Sequence, residues 1–371
     1  MPFMLAALVS ISIAIVLLFG YSLLVFVLKK SRRKPWRSER IFPYASVIIP
    51  SHGSKLLREK ILNTAIQYPR DKIQIIVVYS GTDQNVLEEL RLFEKQGVIG
   101  LIEENQRSGK TNAINMGLRK AMHDICVITD SDSMLEDGAF VNMISQFADP
   151  KVGAVSGELI YVGNSSSNRL HSLLFNKYKS AMKNWESEID SCSYAPGELL
   201  AFRRQLVDSL PEDVVVDDYY ILLTVRQKGF RCVSAPKARV YEKPPSQSVG
   251  TKERTRRVVS GTFFEASRFR GMIFNRNYGV FGLVIFPAYL VRLVLLPLSA
   301  IFFSIFFFIG LVEIIFALPV LWIVTLVTAA SCLVVVGRNP LRYLMAMLLG
   351  MIYGLADYLR GRRPVVWKEC K

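Results

Sequence analysis

The sequence predicts an α/β fold with a mostly parallel sheet, flanked by apolar segments near both ends of the chain. Between residues 41 and 243, short apolar runs rich in β-branched residues alternate with amphipathic helices, a pattern typical of βαβ units. The longest apolar stretches lie in residues 4–28 and 278–358. Of the 371 residues, 51% are hydrophobic and 21% are charged, and this balance excludes a disordered chain.

The first apolar segment, Met4–Leu28, contains 25 residues and no charged side chain. A spanning helix needs about 20 such residues. Seven basic residues follow between Lys29 and Arg40, so the N-terminus is expected outside and the chain from Lys29 onward in the cytoplasm. A signal peptide would carry its basic residues before a shorter apolar core. We therefore expect a retained transmembrane anchor over residues 1–30.

A soluble domain is expected over residues 41–250. Strands are predicted over residues 45–50, 73–78, 98–103, 124–129 and 153–162, and helices over residues 56–67, 84–96, 110–122, 168–188 and 217–229. The functional site of a parallel α/β sheet lies at the carboxyl ends of its strands. This rule predicts one crevice lined by Pro50, residues 79–83 and residues 130–132.

The C-terminal part begins with residues 251–277, where basic and apolar residues alternate as in a helix lying on the cytoplasmic face of a membrane. Transmembrane helices are expected within residues 278–360. The basic tail, residues 361–371, should stay inside, which requires an even number of C-terminal crossings. Two long helices with an interfacial segment 341–359, or four short helices, both meet this condition.

The net charge of +15 arises from 46 Lys and Arg against 31 Asp and Glu. Much of it lies beside the apolar segments, where basic residues set topology and attract anionic lipid. No nucleic-acid-binding motif accompanies it, so nucleic acid is not an expected partner. Five cysteines without a CxxC pair and three histidines without an HxxxH pair argue against a zinc site and against a disulfide framework.

Two carboxylates, Asp130 and Asp132, directly follow the strand predicted over residues 124–129. Mg²⁺ or Mn²⁺ is held by one or two carboxylates and takes its other ligands from phosphate oxygens and water. A solvated acidic turn is the alternative for such a triplet. Its position after the fourth strand of a βα series favours the cation site.

A second acidic pair, Asp217 and Asp218, opens a predicted helix. Acidic residues in a first turn stabilise a helix by capping and by interaction with its dipole, which would explain the pair. A carboxylate held there could also act as a general base toward an acceptor hydroxyl. The two explanations are compatible.

Basic residues near these pairs could bind phosphate. Lys110 lies in a segment that resembles part of a P-loop, but Glu104 stands where the first glycine is required, which excludes Walker-type ATP binding. At the start of a helix, Lys110 could still contact a diphosphate or a ribose, or remain solvated. The arginines of Arg254–Arg257 could bind phosphate oxygens or lipid headgroups.

Together these segments resemble family 2 inverting glycosyltransferases of the GT-A fold, which is Rossmann-like. The matching motifs are Val47–Pro50, Val77–Asp83, Gly109–Leu118, Asp130–Asp132, Pro196–Arg204, Val216–Asp218 and Arg254–Arg257. With the flanking apolar helices, the chain is similar to the membrane-integrated branch that contains hyaluronan, cellulose and poly-N-acetylglucosamine synthases. The resemblance covers residues 41–270.

The resemblance implies a role for each matched residue. Asp130 and Asp132 would hold Mg²⁺ or Mn²⁺ on the donor diphosphate, and Asp218 would be the catalytic base. The other matched positions would bind substrate: Pro50, Asp83 and Lys110 in the nucleotide pocket, Gly197 at the acceptor, Asp217 beside the base, and Arg254 and Arg257 on the diphosphate.

Two departures from the family pattern refine the expected function. Ser80 stands before Gly81 where the family has Asp, which affects base recognition, and Val258 replaces an expected tryptophan, which removes a platform for a sugar acceptor. We expect an integral membrane protein of the cell membrane that moves a sugar, from a UDP-sugar, to a lipid-linked or polysaccharide acceptor with inversion. A processive synthase and a catalytically silent membrane scaffold are the alternatives.

Overall fold

The structure, a computed structural model, describes residues 2–104, 108–162, 169–243, 248–317 and 338–363. Its strands are β1 (Ala45–Ser51), β2 (Ile73–Tyr79), β3 (Gly100–Glu103), β4 (Ile125–Thr129), β5 (Met134–Leu135), β6 (Val152–Tyr161), β7 (Leu199–Arg203) and β8 (Arg231–Glu242). They form one sheet in the order β3-β2-β1-β4-β7-β6-β8-β5. The predicted α/β architecture is therefore confirmed.

The helices are α1 (Pro2–Arg32, with a π-helical turn at Val16–Gly20), α2 (Leu57–Ala65), α3 (Gln84–Lys95), α4 (Lys110–Lys120), α5 (Ala139–Ile144), α6 (Arg169–Ile189), α7 (Asp217–Gln227), α8 (Ser248–Arg268), α9 (Phe286–Ala317) and α10 (Arg338–Leu359). Every strand and helix that the sequence predicts between residues 45 and 229 is present, with ends within two residues of the prediction. Strands β5, β7 and β8 and helix α5 were not predicted.

The direction of β7 decides where the site forms. Strands β1, β2, β3 and β4 run parallel, whereas β7 runs antiparallel to β4 and to β6. As a result, Leu199, the first residue of β7, pairs with Thr129, the last residue of β4. The turn that precedes β7 therefore lies beside Asp130, at the carboxyl edge of the parallel strands.

The sheet is buried on both faces, which explains its nearly continuous apolar strands. On one face Ile48 belongs to a cluster that includes Ile114 of α4. On the other face Val47 belongs to a cluster that includes Phe140 of α5. A Cβ at Gly117 would lie 2.5 Å from the Ile48 side chain, so glycine at this position allows α4 to approach β1 closely.

Two helices of the described ranges, Pro2–Arg32 and Phe281–Glu313, are long and apolar enough to cross a membrane. Few residues in the most apolar stretch of either helix are buried against the rest of the protein. The Tyr21 hydroxyl, midway along α1, donates to the buried Glu186 carboxylate at 2.6 Å. The helix predicted over Met4–Leu28 is thus present and is attached to the α/β domain.

Several predictions for the C-terminal part involve residues that the structure does not describe. Residues 318–337 and 364–371 lie outside the described ranges, and with them the number of crossings, most of the basic tail, Cys332 and Cys370. The other three cysteines are buried free thiols, as their residue type predicts.

Helix α8 corresponds to the basic segment predicted over residues 251–277, and it begins three residues earlier. Helix α10 packs closely against it. A Cβ at Gly350 or at Gly354 would lie 2.6 Å from a backbone carbonyl oxygen of α8. Arg256 of α8 forms a bidentate ion pair with the buried Asp357 of α10. One face of α8 is therefore covered by another helix of the same chain. The contact of α8 with a membrane surface stays a prediction.

Candidate active site

The acidic pairs that the sequence singles out lie in one cluster around Lys110. The Lys110 Nζ lies 2.7 Å from Asp130 Oδ1 and 3.7 Å from Asp217 Oδ2. A Cβ at Gly197 would lie 3.1 Å from Asp218 Oδ2 and 3.3 Å from Lys110 Nζ. The end of β4, the start of α4, the turn before β7 and the start of α7 therefore meet at one place.

Local sequence explains how Lys110 and the second acidic pair reach this place. Gly109, whose φ is +95°, turns the chain into α4, so that Lys110 is the first residue of the helix. Asp217 and Asp218 form the first turn of α7, where the helix dipole favours negative charge. The capping explanation and the functional explanation given above therefore apply to the same residues.

Arg254 joins the cluster from α8. Its Nη2 lies 2.7 Å from Oε1 of Glu198, a buried residue that directly follows Gly197. Burial opposes the charge of Arg254, but Tyr161 and Glu198 outweigh this effect and raise the pKa of Arg254 above its ordinary value. Glu198 lies within the matched motif Pro196–Arg204, but no role was predicted for it. Its position directly after the turn glycine Gly197 could have marked it as a site residue.

One carboxyl group of each acidic pair has a raised pKa. Burial, followed by the charge of Asp217, raises the pKa of Asp218 to about 8, while Lys110 acts in the opposite direction. Burial and the charge of Asp130 raise the pKa of Asp132. A carboxylate with a pKa near the operating pH is suited to general-base catalysis. The role of Asp218 as the base stays a prediction.

Glu242 at the end of β8 is a further acidic residue of the site. Burial and the charge of Glu198 raise its pKa to about 8, with smaller contributions from Asp132 and Asp130. Its Oε2 is buried and accepts no hydrogen bond from the residues that the structure describes. Glu242 was not among the predicted site residues, because the sequence pattern did not predict β8.

The predicted nucleotide loops lie side by side at the ends of β1 and β2. Pro50 pairs with Val78, and the Ser80 amide donates to the Ser51 carbonyl oxygen at 2.9 Å. Asp83 is exposed and caps α3 by accepting a hydrogen bond from the Asn85 amide. This cap is a structural function of Asp83, and its contact with a nucleotide stays a prediction.

Arg257 lies behind the second acidic pair. Its Nη1 donates to the Val215 carbonyl oxygen at 3.3 Å, two residues before Asp217. Arg257 therefore stabilises the segment that leads into α7. Its predicted contact with the diphosphate stays a prediction.

The ligand chemistry of the cluster fits a divalent cation. Asp130 and Asp132 supply carboxylate oxygens, which Mg²⁺ and Mn²⁺ prefer. Burial and the charge of Asp130 raise the pKa of Asp132, and a bound cation would relieve the repulsion between the two carboxylates. Within the described ranges, no three His, Cys, Asp or Glu side chains are grouped closely enough to enclose a metal ion. The remaining ligands would therefore come from a diphosphate and water.

Comparison with known proteins identifies the family of the chain. The family model described as "Glycosyltransferase like family 2" matches residues 43–261. The poly-beta-1,6-N-acetyl-D-glucosamine synthase of Staphylococcus aureus is 23% identical over 210 residues, which are 55% of this chain and 51% of that protein. The Staphylococcus epidermidis synthase is 24% identical over 163 residues, 41% of this chain and 39% of that protein. The chain spans about half the length of the curated relatives it matches.

Among solved structures, a mannosyltransferase from Pyrobaculum calidifontis, determined in complex with GDP-Man and Mn²⁺, superposes with a TM-score of 0.74. It is 24% identical in sequence, and the match covers 96% of this chain and 100% of that one. At this level of identity the similarity shows the fold, and it confirms the predicted GT-A-like architecture.

Proposed function

This chain belongs to glycosyltransferase-like family 2, and on that premise we propose that it transfers a sugar with inversion from a nucleoside diphosphate sugar to an acceptor at a membrane surface. The observation that carries the proposal is the contact of Lys110 with both acidic pairs, at 2.7 Å from Asp130 and 3.7 Å from Asp217. A catalytically silent scaffold would not need buried carboxylates from separate elements to converge, because burying them is costly.

Asp218 acts as the base in the proposed reaction. The acceptor hydroxyl lies beside Gly197, where no side chain intervenes between backbone and carboxylate. As the acceptor oxygen bonds to C1 of the sugar, its proton passes to Asp218 and the bond from C1 to the diphosphate breaks. Attack from the face opposite the diphosphate inverts the configuration at C1.

Basic residues stabilise the departing diphosphate. Lys110 and Arg254 approach the cluster from α4 and α8, and each is held by a carboxylate, Asp130 and Glu198 respectively. Positive groups that are fixed in place before the reaction stabilise developing negative charge at little reorganisation cost. A divalent cation held by Asp130 and Asp132 supplies further neutralisation of the diphosphate when it is bound. The Pyrobaculum neighbour was solved with Mn²⁺, which supports this metal.

The acceptor is proposed to reach the site along the membrane. Asp218 is followed by Tyr219, whose ring centroid lies 5.7 Å from that of Tyr289 at the start of α9. The base is therefore near the beginning of one of the two apolar helices. Together with the basic residues after α1, this arrangement supports an integral membrane protein whose catalytic domain faces the cytoplasm and whose acceptor is lipid-linked or a polysaccharide.

A processive synthase is a second candidate, because the curated relatives carry the name of a polymer synthase. Val258 in place of tryptophan favours a single transfer, since it removes an aromatic platform for a growing glycan. The length of the product distinguishes the two reactions.

The donor is tested by incubating the purified full-length chain with Mn²⁺ and a panel of UDP-sugars and GDP-sugars. UDP-sugars are the expectation from sequence, and GDP-mannose is included because the Pyrobaculum enzyme was solved with it. A donor at 100 times its dissociation constant should stabilise the fold by about 2.7 kcal/mol and should be slowly hydrolysed. Stabilisation without hydrolysis or transfer would favour the silent scaffold, and no response to any donor would contradict the proposal.

A further inference from the structure

Lys60 of α2 is a fully buried lysine, 0% exposed, located beneath the Asp130–Asp132 triplet. Its ammonium donates to the Thr129 hydroxyl at 2.7 Å and to the Ser133 carbonyl oxygen at 2.6 Å. Thr129 directly precedes the triplet and Ser133 directly follows it. One ammonium group therefore ties together the two ends of the loop that carries both predicted cation ligands.

The contacts of this ammonium extend to the rest of the site. The Thr129 hydroxyl, which accepts from Lys60, donates to the Glu198 carbonyl oxygen at 2.8 Å. The Ser133 hydroxyl donates to the Asp130 carbonyl oxygen at 3.1 Å. Lys60 is thus the centre of a hydrogen-bond network that joins the triplet to the turn before β7.

A buried ammonium is costly unless hydrogen bonds and nearby charges compensate for its lost hydration. Burial lowers the pKa of Lys60 to about 7, and Asp130 and Asp132 counteract this shift. Lys183, the other lysine that is buried within the described ranges, is instead paired directly with Glu158 at 3.0 Å. The hydrogen bonds of Lys60 go mainly to the loop that holds the triplet.

We propose that Lys60 is a positioning residue that fixes the Asp130–Asp132 loop in the shape that receives the divalent cation. The inference rests on the proposed function, because it takes the triplet as the cation site. Nothing in the family resemblance described above assigns a role to this position.

A positioning role and a purely electrostatic role of Lys60 predict opposite changes in Mn²⁺ affinity when Lys60 is replaced. Replacing Lys60 by methionine removes a positive charge near two carboxylates, which by Coulomb's law alone would tighten the binding of Mn²⁺. If Lys60 positions the loop, the same change weakens Mn²⁺ binding, because groups that orient metal ligands typically contribute about 10- to 100-fold in affinity.

The test is a titration of the full-length protein with Mn²⁺ alone, followed by the electron paramagnetic resonance signal of free Mn²⁺. The part of the Mn²⁺ binding that is lost in Asp132→Asn is the component that belongs to the triplet. Lys60→Met should raise the dissociation constant of this component at least about tenfold. Lys183→Met is the matched control: it also removes a buried ammonium, and it should lower the thermal midpoint without changing Mn²⁺ affinity.

Thr129→Val provides a second variant in case Lys60→Met does not fold. It removes one acceptor of the ammonium without changing the net charge, and it should weaken Mn²⁺ binding by a smaller factor. An unchanged or tighter dissociation constant in Lys60→Met, or in Thr129→Val if that variant alone folds, overturns the positioning role. If the wild-type protein shows no component sensitive to Asp132→Asn, either with Mn²⁺ alone or with Mn²⁺ and UDP, the cation site of the proposed function fails, and this inference fails with it.

Discussion

The two acidic pairs of the site are close in space and differ in environment. Asp130 and Asp132 follow a strand, and the Asp130 side chain keeps 28% of its exposure. Asp217 and Asp218 open a helix, and the Asp217 side chain keeps only 9%. Both pairs contact the same ammonium group, because Lys110 lies close to Asp130 and to Asp217.

This difference separates their chemistry. A partly solvated pair at a strand end can bind a metal ion in place of water, and phosphate oxygens can then complete the coordination of the metal. Desolvation raises the pKa of Asp132 as well, but the shift is larger for Asp218, whose pKa rises to about 8. Carboxylates whose environments give them different pKa values typically take separate catalytic roles. The following predictions test whether the two pairs are divided in this way.

The largest effect is expected from Asp218→Asn. The amide cannot accept the acceptor proton, so kcat should fall about 10²- to 10⁴-fold, while Mn²⁺ and donor binding stay close to wild type. Steady-state kinetics with calorimetric donor binding measures both quantities. Wild-type turnover in this variant would remove Asp218 from the role of base.

Asp132→Asn should mainly affect metal binding, in contrast to Asp218→Asn. Loss of one ligand should weaken Mn²⁺ binding and lower turnover by about 100-fold, which corresponds to about 2.7 kcal/mol of lost stabilisation. Excess Mn²⁺ should restore part of the activity, whereas Asp218→Asn should not respond to it. Equal responses of the two variants to Mn²⁺ would contradict the division between the pairs.

Gly197→Ala perturbs the point where the two pairs meet. The added Cβ would be within 3.3 Å of both Asp218 Oδ2 and Lys110 Nζ, so these groups would have to shift by a few tenths of an ångström. A misplacement of about 1 Å can cost about 100-fold in rate. We expect kcat to fall about tenfold or more with little change in the thermal midpoint. The control is Gly250→Ala on α8, where a Cβ would meet nothing within 4 Å, and its activity should equal that of wild type.

The pH dependence should follow Asp218. Its folded-state pKa of about 8 exceeds its ordinary value of 3.8, so the folded state holds this proton more tightly than the unfolded chain. The resulting stabilisation is complete below pH 4 and is lost as the pH rises through 8. Between pH 5 and 8.5 the thermal midpoint should therefore fall more in wild type than in Asp218→Asn.

The same titration should appear in the kinetics. The base must be ionised, so kcat/KM should rise about tenfold from pH 7 to pH 9. If kcat/KM is constant from pH 7 to pH 9, and if the thermal midpoints of wild type and Asp218→Asn shift equally with pH, Asp218 does not titrate near pH 8.

Local sequence was sufficient for most elements of the α/β domain. Helix α3 and strands β1 and β2 were predicted with nearly their observed ends, because periodicity and β-branched runs are local signals. Strand β8 was missed because polar residues interrupt it: Lys237 and Arg239 are exposed within it. A short or mixed strand is defined by its partners more than by its own residues.

Lys60 shows the same limit for a single side chain. Leu57, Ile61 and Thr64 are buried on one face of α2, and Lys60 lies on that face with them. The helical spacing could have identified Lys60 as a buried lysine. Its partners Thr129 and Ser133 are about 70 residues away in the chain, so no local pattern could have named them.

The α/β class, the apolar helices, the two acidic pairs and Lys110 were all predicted from sequence, because each is encoded by residues close together in the chain. The antiparallel direction of β7, which brings Gly197 and Glu198 beside Asp130, was known only once the strands had paired. Tertiary structure also decided that Arg254 pairs with Glu198 and that Lys60 lies beneath the triplet. These contacts depend on strand order and helix packing, and the free energy that selects them comes from burial across the whole domain.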